Sequence, residues 1–404
     1  MTRGFIRHGP AIDGRAIYDR AQELAFPRYP GTKGDRRAIE IVTSWFEAAG
    51  LEVVCEPFSY DVRPAFRALR AMLLICAALV AGSGALASTR PGIALVALAL
   101  ALASGGAFLS WAPWLERIYE RDGPTETANV VGRRRSGSAG GTPRLTLILM
   151  AHHDSKSQSL TLPYRALATI AAIASVLALA FLELVALGGG RVEPVAVGLV
   201  SGAACVALVV LSTLRSGNRS PGGVDNAGSV AILAEVAAPV SRRVAPDTEL
   251  VFLSPGAEED HMVGAMRWLE RHWQELVDRP VLVLNLDGAG IPGRVALLER
   301  YGLGRRFSAR LSVVARGAAR DLGLEVRGAM LPPAMGVDAI PFAHRGIESL
   351  TLASGSLGRP VLAVHSKHDR GDNLGPRALE DVARLTVAMV ALLSSEPPKA
   401  QADS

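Results

Sequence analysis

The chain has 404 residues, of which 49% are hydrophobic, 20% charged and 5% aromatic, and its mean hydropathy is +0.26. These values exclude a disordered chain and weigh against a purely soluble protein, because the excess lies in Ala, Leu, Val and Gly, a mixture suited to transmembrane helices packed through small residues. The net charge of +5 is carried by arginine, lysine standing at Lys33, Lys156, Lys367 and Lys399 alone, and no basic face with interleaved aromatics argues for nucleic acid as a partner.

Met1–His8 holds no apolar run, so no cleavable signal peptide is expected. Asp13–Leu24 predicts a first helix. A second opens at Gly34-Asp35 with Ile39, Val42, Phe46 and Ala49 on one face and stops at Gly50. Leu51–Tyr60 alternates like an edge or mixed strand.

The pattern then changes. Ala71–Thr89 carries no charge, Arg90-Pro91 interrupts, and Pro91–Leu115 is again uncharged and ends in Trp111 and Trp114. Each run is long enough for about 30 Å of hydrocarbon, with the tryptophans where an interfacial belt belongs. Strands are predicted at Ala128–Gly132 and Leu145–Ala151. Two more apolar runs follow, Ala166–Leu187 and Val195–Leu214, joined by Gly188-Gly189-Gly190-Arg191. Glu183, near the end of its run, is read as an acid snorkelling to the interface. From Gly222 onward helices alternate with strands: a helix at Asn226–Val240, a strand at Glu249–Ser254, a helix at Val263–Leu276, strands at Val281–Leu286 and Arg294–Leu298, a helix at Arg305–Leu322, a strand at Glu348–Ala353 and a closing helix at Ala378–Leu393. The polar tail with Pro397 and Pro398 is expected to fray.

The expected division is a globular domain over 13–62, 117–157 and 219–394, apolar hairpins at 63–116 and 158–218, and a tail at 395–404. Each hairpin returns the chain to its starting side. That side carries Arg63, Arg67, Arg70, Arg117, Arg121, Lys156, Arg165, Arg215 and Arg219, against Arg90 and Arg191 on the other. The positive-inside rule then puts the globular part on the cytoplasmic side of a multi-pass protein, with the lipid bilayer as a partner.

Chemistry gathers after the apolar strands. Leu145–Ala151 runs into His152-His153-Asp154-Ser155, Glu249–Ser254 into Glu258-Glu259-Asp260, and Val281–Leu286 into Asp287. In a parallel α/β sheet these positions open on one crevice. Asp225-Asn226 at a helix start and His365 belong with them. Imidazole with carboxylates suits Zn²⁺, a shared carboxylate is what two ions need, and adjacent glutamates allow one to bind metal while its neighbour stays free as a base.

The ordered set His152-x-Asp154, Asp225-Asn226, Glu258-Glu259, Asp287, His365 resembles the M28 family of zinc metallopeptidases. Pro27–Val53 is similar to the family's entry, Gly222–Ser229 to its Gly-x-x-Asp-Asn-x-x-Gly stretch, and Asp338–Gly346 to the segment before its last strand. The Asp-Asn pair separates it from the related M20 peptidases. The resemblance implies a phosphorylase/hydrolase-like three-layer α/β fold with a mixed, mostly parallel sheet, here with four inserted transmembrane helices. It implies two zinc ions, one on His152 and Asp287, one on Glu259 and His365, with Asp225 bridging. It implies Glu258 as the general base acting on a bridging hydroxide, and Asp154 as the residue that orients His152. The implied activity is that of an exopeptidase, an aminopeptidase, acting on peptides; the apolar hairpins make it membrane-anchored, and because the second leaves just after His152–Asp154 and returns just before Asp225, substrates are expected to arrive from the membrane, or the hairpin to help wall the cleft. Three departures stand out: the second hairpin is inserted between His152–Ser155 and Asp225, which is the main one; His261 occupies a position usually held by Gly, as a pocket-lining polar contact or a plain surface histidine; and Gly228-Ser229 reverses the usual order.

Two other functions remain open: a single-zinc glutaminyl-cyclase-like acyltransferase, against which the full ligand set argues, and a catalytically silent membrane scaffold of the same fold, which would have lost ligands. His153 is expected to be a packed neighbour rather than a ligand. His8, His272 and His344 are read as structural or surface residues, His368 as a weaker ligand candidate, and Asp369 as a support. Cys55, Cys76 and Cys205 are read as small apolar packers. The sequence carries no signal for oligomeric state.

Overall fold

A computed structural model describes residues 12–109, 121–137, 142–331, 335–356 and 358–395. Trp111, Trp114, Arg117, Met1–His8 and the proline tail lie outside the described residues. The chain divides into two compact units, one of Met1–Asp61, Tyr119–Ser157 and Gly217–Ser404, the other of Val62–Ile118 and Gln158–Ser216.

The first unit opens with helices α1 (Gly14–Leu24) and α2 (Lys33–Ala48). Asp13 caps α1 by accepting from the Arg15 amide, and Thr32 caps α2 by accepting from the Asp35 amide, as short polar side chains do at helix starts. Strands β1 (Glu52–Tyr60) and β2 (Thr125–Arg134) pair antiparallel, with β1 at the edge as its alternation predicts. The other strands of this unit are β3 (Leu145–Met150), β4 (Thr248–Ser254), β5 (Val281–Leu286), β6 (Val295–Tyr301), the two-residue β7 (Arg305–Arg306), β8 (Val326–Met330) and β9 (Glu348–Ser354). Among the described residues they form one sheet in the order β1-β2-β4-β3-β5-β9-β6-β8, with β7 paired to β6. The centre, β4-β3-β5-β9, is parallel. Its strands are buried on both faces, which is why they read as largely apolar runs such as Leu147–Met150, Leu250–Leu253 and Val281–Leu284. Outside it, β2 and β6 run antiparallel to their central neighbours.

Helix α7 (Gly228–Ser241) packs on the sheet with α1 and α12 (Pro376–Ser395), and α8 (Val263–Leu276), α9 (Ala309–Leu322), α10 (Ala339–His344) and α11 (Arg359–Ala363) complete the unit. Helix α7 lacks an apolar stripe because nearly all of it is buried, Val230, Ile232, Leu233 and Val236 included. Each such side chain contributes about 1.5–3 kcal/mol. Strand β8 escapes the sequence pattern: its residues are mostly exposed, and Arg327-Gly328-Ala329 gives no alternation.

The second unit holds the helices that the sequence reads as spans. They are α3 (Arg63–Leu86), α4 (Pro91–Leu109), α5 (Leu162–Leu187) and α6 (Pro194–Ser212). Three of them, α3, α5 and α6, are long and apolar enough to cross a membrane, and the fourth counts as a shorter apolar helix over Pro91–Ala107. The first starts earlier than expected, so Arg63, Arg67 and Arg70 ride on its first turns. Small and apolar residues such as Cys76, Val80, Leu98, Leu179 and Ala204 fill the interior, while Ile75, Val96, Leu167, Phe181 and Leu199 face outward. An exposed apolar exterior of this extent suits lipid.

Two sequence readings are corrected here. Glu183 does not snorkel. It shares a helix face with Ala172, Val176 and Leu179, is 0% exposed, and meets the Ser83 hydroxyl, whose oxygen lies 2.9 Å from Ala94 O. The 3.6-residue period turns it inward, where a polar partner exists. Cys55 is exposed on the edge strand, 3.3 Å from Thr43 Oγ1, whereas Cys76 is buried and Cys205 half-buried.

Candidate metal centre

The polar residues that follow the parallel strands meet at their carboxyl ends. Strand β3 delivers His152 and Asp154, β4 delivers Glu258 and Glu259, and β5 delivers Asp287. His365 follows α11, and Asp225 lies in the turn before α7. Three adjacent parallel strands thus end at one place, the position where open α/β sheets bind ligands.

Two groups of ligand-type atoms form there, His152/Asp225/Asp287 and Asp225/Glu259/His365, each with its atoms within 4.8 Å of one another. Asp225 belongs to both: Oδ1 lies 3.1 Å from His152 Nε2 and Oδ2 lies 3.1 Å from His365 Nε2. Glu259 Oε2 is 2.9 Å from His365 Nε2. Glu258 Oε2 stands 3.8 Å from His152 Nε2, beside the first group rather than in it.

The loops are fixed from behind. Asp154 Oδ1 lies 3.4 Å from His152 Nδ1, and its two oxygens accept from the Glu258 and Glu259 amides at 3.1 Å each. Asp369 accepts from the Val224 and Asp225 amides at 2.8 and 3.3 Å. Asn226 donates to Leu286 O at 3.0 Å and accepts from the Gly288 amide at 3.2 Å, tying the Asp225 turn to the end of β5. The Asp225–Asn226 peptide bond is cis. Gly222 has φ +60°, and a Cβ there would sit 2.5 Å from Ser155 Cβ, so this turn requires glycine.

Electrostatics follow from burial and crowding. Burial disfavours charge on His152, but Glu258, Asp154 and Asp225 outweigh it and hold the imidazole well above its usual pKa. For His365, burial is likewise outweighed by Glu259 and Asp225, and the pKa rises to about 9. Burial is resisted at Asp225 by both histidines, which pull its carboxyl down. Glu258 goes the other way: burial, with Asp287 and Asp338 nearby, pushes it well above the carboxylate range. A divalent cation would reverse this crowding by favouring every ionised carboxylate. The residues fit such a cation. His152 Nε2 and Glu259 Oε1 are buried without a hydrogen bond, and imidazole with carboxylate is a zinc donor set.

The remaining candidates fall elsewhere. His153 packs beneath the site with Nδ1 3.2 Å from Ser254 O. His272 pairs with Glu56, His344 stacks on Tyr301, and His368 is exposed. His261 has φ +76°, a left-handed conformation that glycine adopts without cost, which accounts for the usual Gly at this position.

Four features escaped the sequence reading. Lys156 is not a solvated flank charge: it is buried, donates to Glu259 O and lies 3.3 Å from Glu259 Oε2. Its place directly after His152–Ser155 was the available signal. Arg28 is fully buried and donates to His153 O, to Leu24 O at 3.0 Å and to Gly222 O at 2.8 Å; burial lowers its pKa to about 10. Asp338 is buried with neither oxygen hydrogen-bonded, and burial raises its pKa to about 7. Asp260 is buried under two phenols, Tyr29 and Tyr60. No periodicity marks a buried ion, so these three gave no pattern.

The profile of peptidase family M28 matches residues 129–390. No curated protein matches the chain. Among solved structures, the zinc aminopeptidase BSAP of Bacillus subtilis is similar over 95% of this chain and 95% of its own, at 14% identity and a TM-score of 0.57. An aminopeptidase from Aneurinibacillus sp. strain AM-1 is similar over 96% and 95%, at 16% identity and a TM-score of 0.56. A glutaminyl cyclase from Fimbriiglobus ruber is similar over 95% and 96%, at 13% identity and a TM-score of 0.53. At these identities the likeness concerns the fold.

Proposed function

The chain belongs to peptidase family M28, and on that premise we propose that it is a membrane-anchored zinc exopeptidase, an aminopeptidase with two metal ions. The observation that carries this reading is Asp225, whose two oxygens face two imidazoles and so join two ligand groups. His152, Asp225 and Asp287 would hold one zinc, and Asp225, Glu259 and His365 the other. Zinc supplies Lewis acidity, polarising a carbonyl and lowering the pKa of water to about 7.

The chain's own residues do the rest. Glu258 Oε2 takes a proton from the attacking water and returns it to the leaving amine, a general acid–base role that uses a carboxylate kept out of both ligand groups. Asp154 orients His152 and, through the amides of Glu258 and Glu259, sets the base relative to the ligands. Helices α3 to α6 serve as the membrane anchor, supported by the length of α3, α5 and α6 and by the apolar exteriors of all four. The proposed side for the catalytic unit is cytoplasmic, on the arginine asymmetry. A periplasm-active reporter fused at Ser404 and found active would overturn that side.

The decisive experiment uses the full chain purified in detergent. Metal content is measured, and peptides with a free amino terminus, a blocked amino terminus and an amino-terminal glutamine are offered. Two zinc per chain with cleavage of free-amine peptides alone supports the proposal. One zinc with cyclisation of the glutamine peptide replaces it with an acyltransferase, and no turnover leaves a scaffold.

A further inference from the structure

The segment that carries Glu258 and Glu259 is conformationally strained. Ala257, His261 and Met262 all have positive φ, at 57°, 76° and 61°, and none is glycine. Three such residues within six positions persist only where the surroundings over-determine them. Asn129 staples the base of the loop, accepting from the Gly256 amide at 3.1 Å and donating to Gly264 O at 2.9 Å. Asp154 takes the two glutamate amides from the strand side.

The far side of the loop is gripped at Asp260. This carboxylate is 1% exposed and accepts from Tyr29 Oη at 2.9 Å and Tyr60 Oη at 2.7 Å. Next to it, Lys156 holds Glu259 O and lies 3.3 Å from Glu259 Oε2. Two of these three groups sit where the chain leaves the first unit. Tyr60 lies two residues before Val62, and Lys156 two before Gln158, the first residues of the two insertions. Both exits of the chain toward the apolar hairpins therefore carry a residue that grips the loop.

We propose that Tyr29, Tyr60 and Lys156 are positioning residues that hold the strained loop Ala257–Met262 in the shape that aims Glu258. The proposal rests on Glu258 being the base of the reading above. The phenols act through Asp260 and touch no ligand. Their loss lets the loop relax toward unstrained dihedrals and moves Glu258, and a displacement near 1 Å of a catalytic group costs on the order of a hundredfold in rate.

The test compares the full-length wild type, Y29F, Y29F/Y60F and K156M by amide hydrogen exchange, metal content and steady-state kinetics. In Y29F/Y60F, exchange over Ala257–Met262 should rise at least tenfold while β4 is unchanged, and kcat should fall about tenfold with KM and metal content held. Y29F, at a residue that is itself half-buried, should show the same pattern in smaller measure if the double variant does not fold, and K156M, which removes the ammonium that holds Glu259 O, should likewise raise exchange in the loop. Unchanged exchange in the loop, or faster exchange with kcat intact, overturns the proposal. A wild type without zinc or peptidase activity would overturn the proposed function instead, and the exchange measurement would still decide the positioning role.

Discussion

One oxygen of the Asp154 carboxylate accepts a hydrogen bond from the backbone amide of Glu258 at 3.1 Å. The strand that delivers the candidate ligand His152 thereby also sets the candidate base, although the two lie more than a hundred residues apart. Asp154→Asn keeps the shape but leaves one oxygen where two accepted, and its amide offers a donor where the Glu259 amide already donates. We expect kcat to fall about 10- to 100-fold and zinc affinity to weaken by a similar factor. Kinetics and chelator competition check both.

Glu258→Gln removes a proton acceptor without altering volume. Metal content should be unchanged, while turnover drops by about 10²–10⁴-fold, the range of general base catalysis. Retained activity would remove Glu258 from the mechanism.

Sharing of Asp225 makes metal loss diagnostic. Asp225→Ala takes a ligand from both groups and should leave little bound zinc at micromolar concentrations, whereas Asp287→Ala takes one ligand from one group. Elemental analysis should then read near zero for the first and near one per chain for the second. Equal loss in both variants would contradict two separable sites.

Away from the site, His272 Nε2 lies 2.8 Å from Glu56 Oε1. Burial opposes both charges, yet the mutual hydrogen bond prevails, raising His272 above 6.5 and lowering Glu56 below 4.5. The histidine's contribution is complete below its unfolded pKa and is lost as pH rises through the folded one. The glutamate's is complete above its unfolded pKa and is lost as pH falls through the folded one. A double-mutant cycle of Glu56→Gln and His272→Gln should give a coupling of about 1–3 kcal/mol near pH 5.5. It should shrink well above neutrality, which chemical denaturation at the two pH values would reveal.

The parallel core was legible in the sequence because a strand buried on both faces is predominantly apolar, as Leu145–Met150 and Val281–Leu286 are apart from Thr146 and Asn285. The edge strand Glu52–Tyr60 was legible from its alternation, whereas Val326–Met330, exposed at the opposite edge, carried neither signal. Glu183 shows the limit of reading a run by hydropathy. Its depth in the helix was correct, but its side of the helix depended on which neighbours packed against it.

The sequence by itself determined the family, the apolar inserts and the order of candidate ligands, since each of these is a matter of residue type and spacing along the chain. Tertiary structure decided that Asp225 faces two imidazoles and that Asp154 holds the loop of Glu258 and Glu259. It also decided that Lys156, Arg28, Asp260 and Asp338 are buried beside that loop or its neighbours. A buried charge is stabilised by partners from distant segments. Composition and period report how much of a chain is apolar and which way an element turns, and neither records which remote carboxylate a lysine will meet.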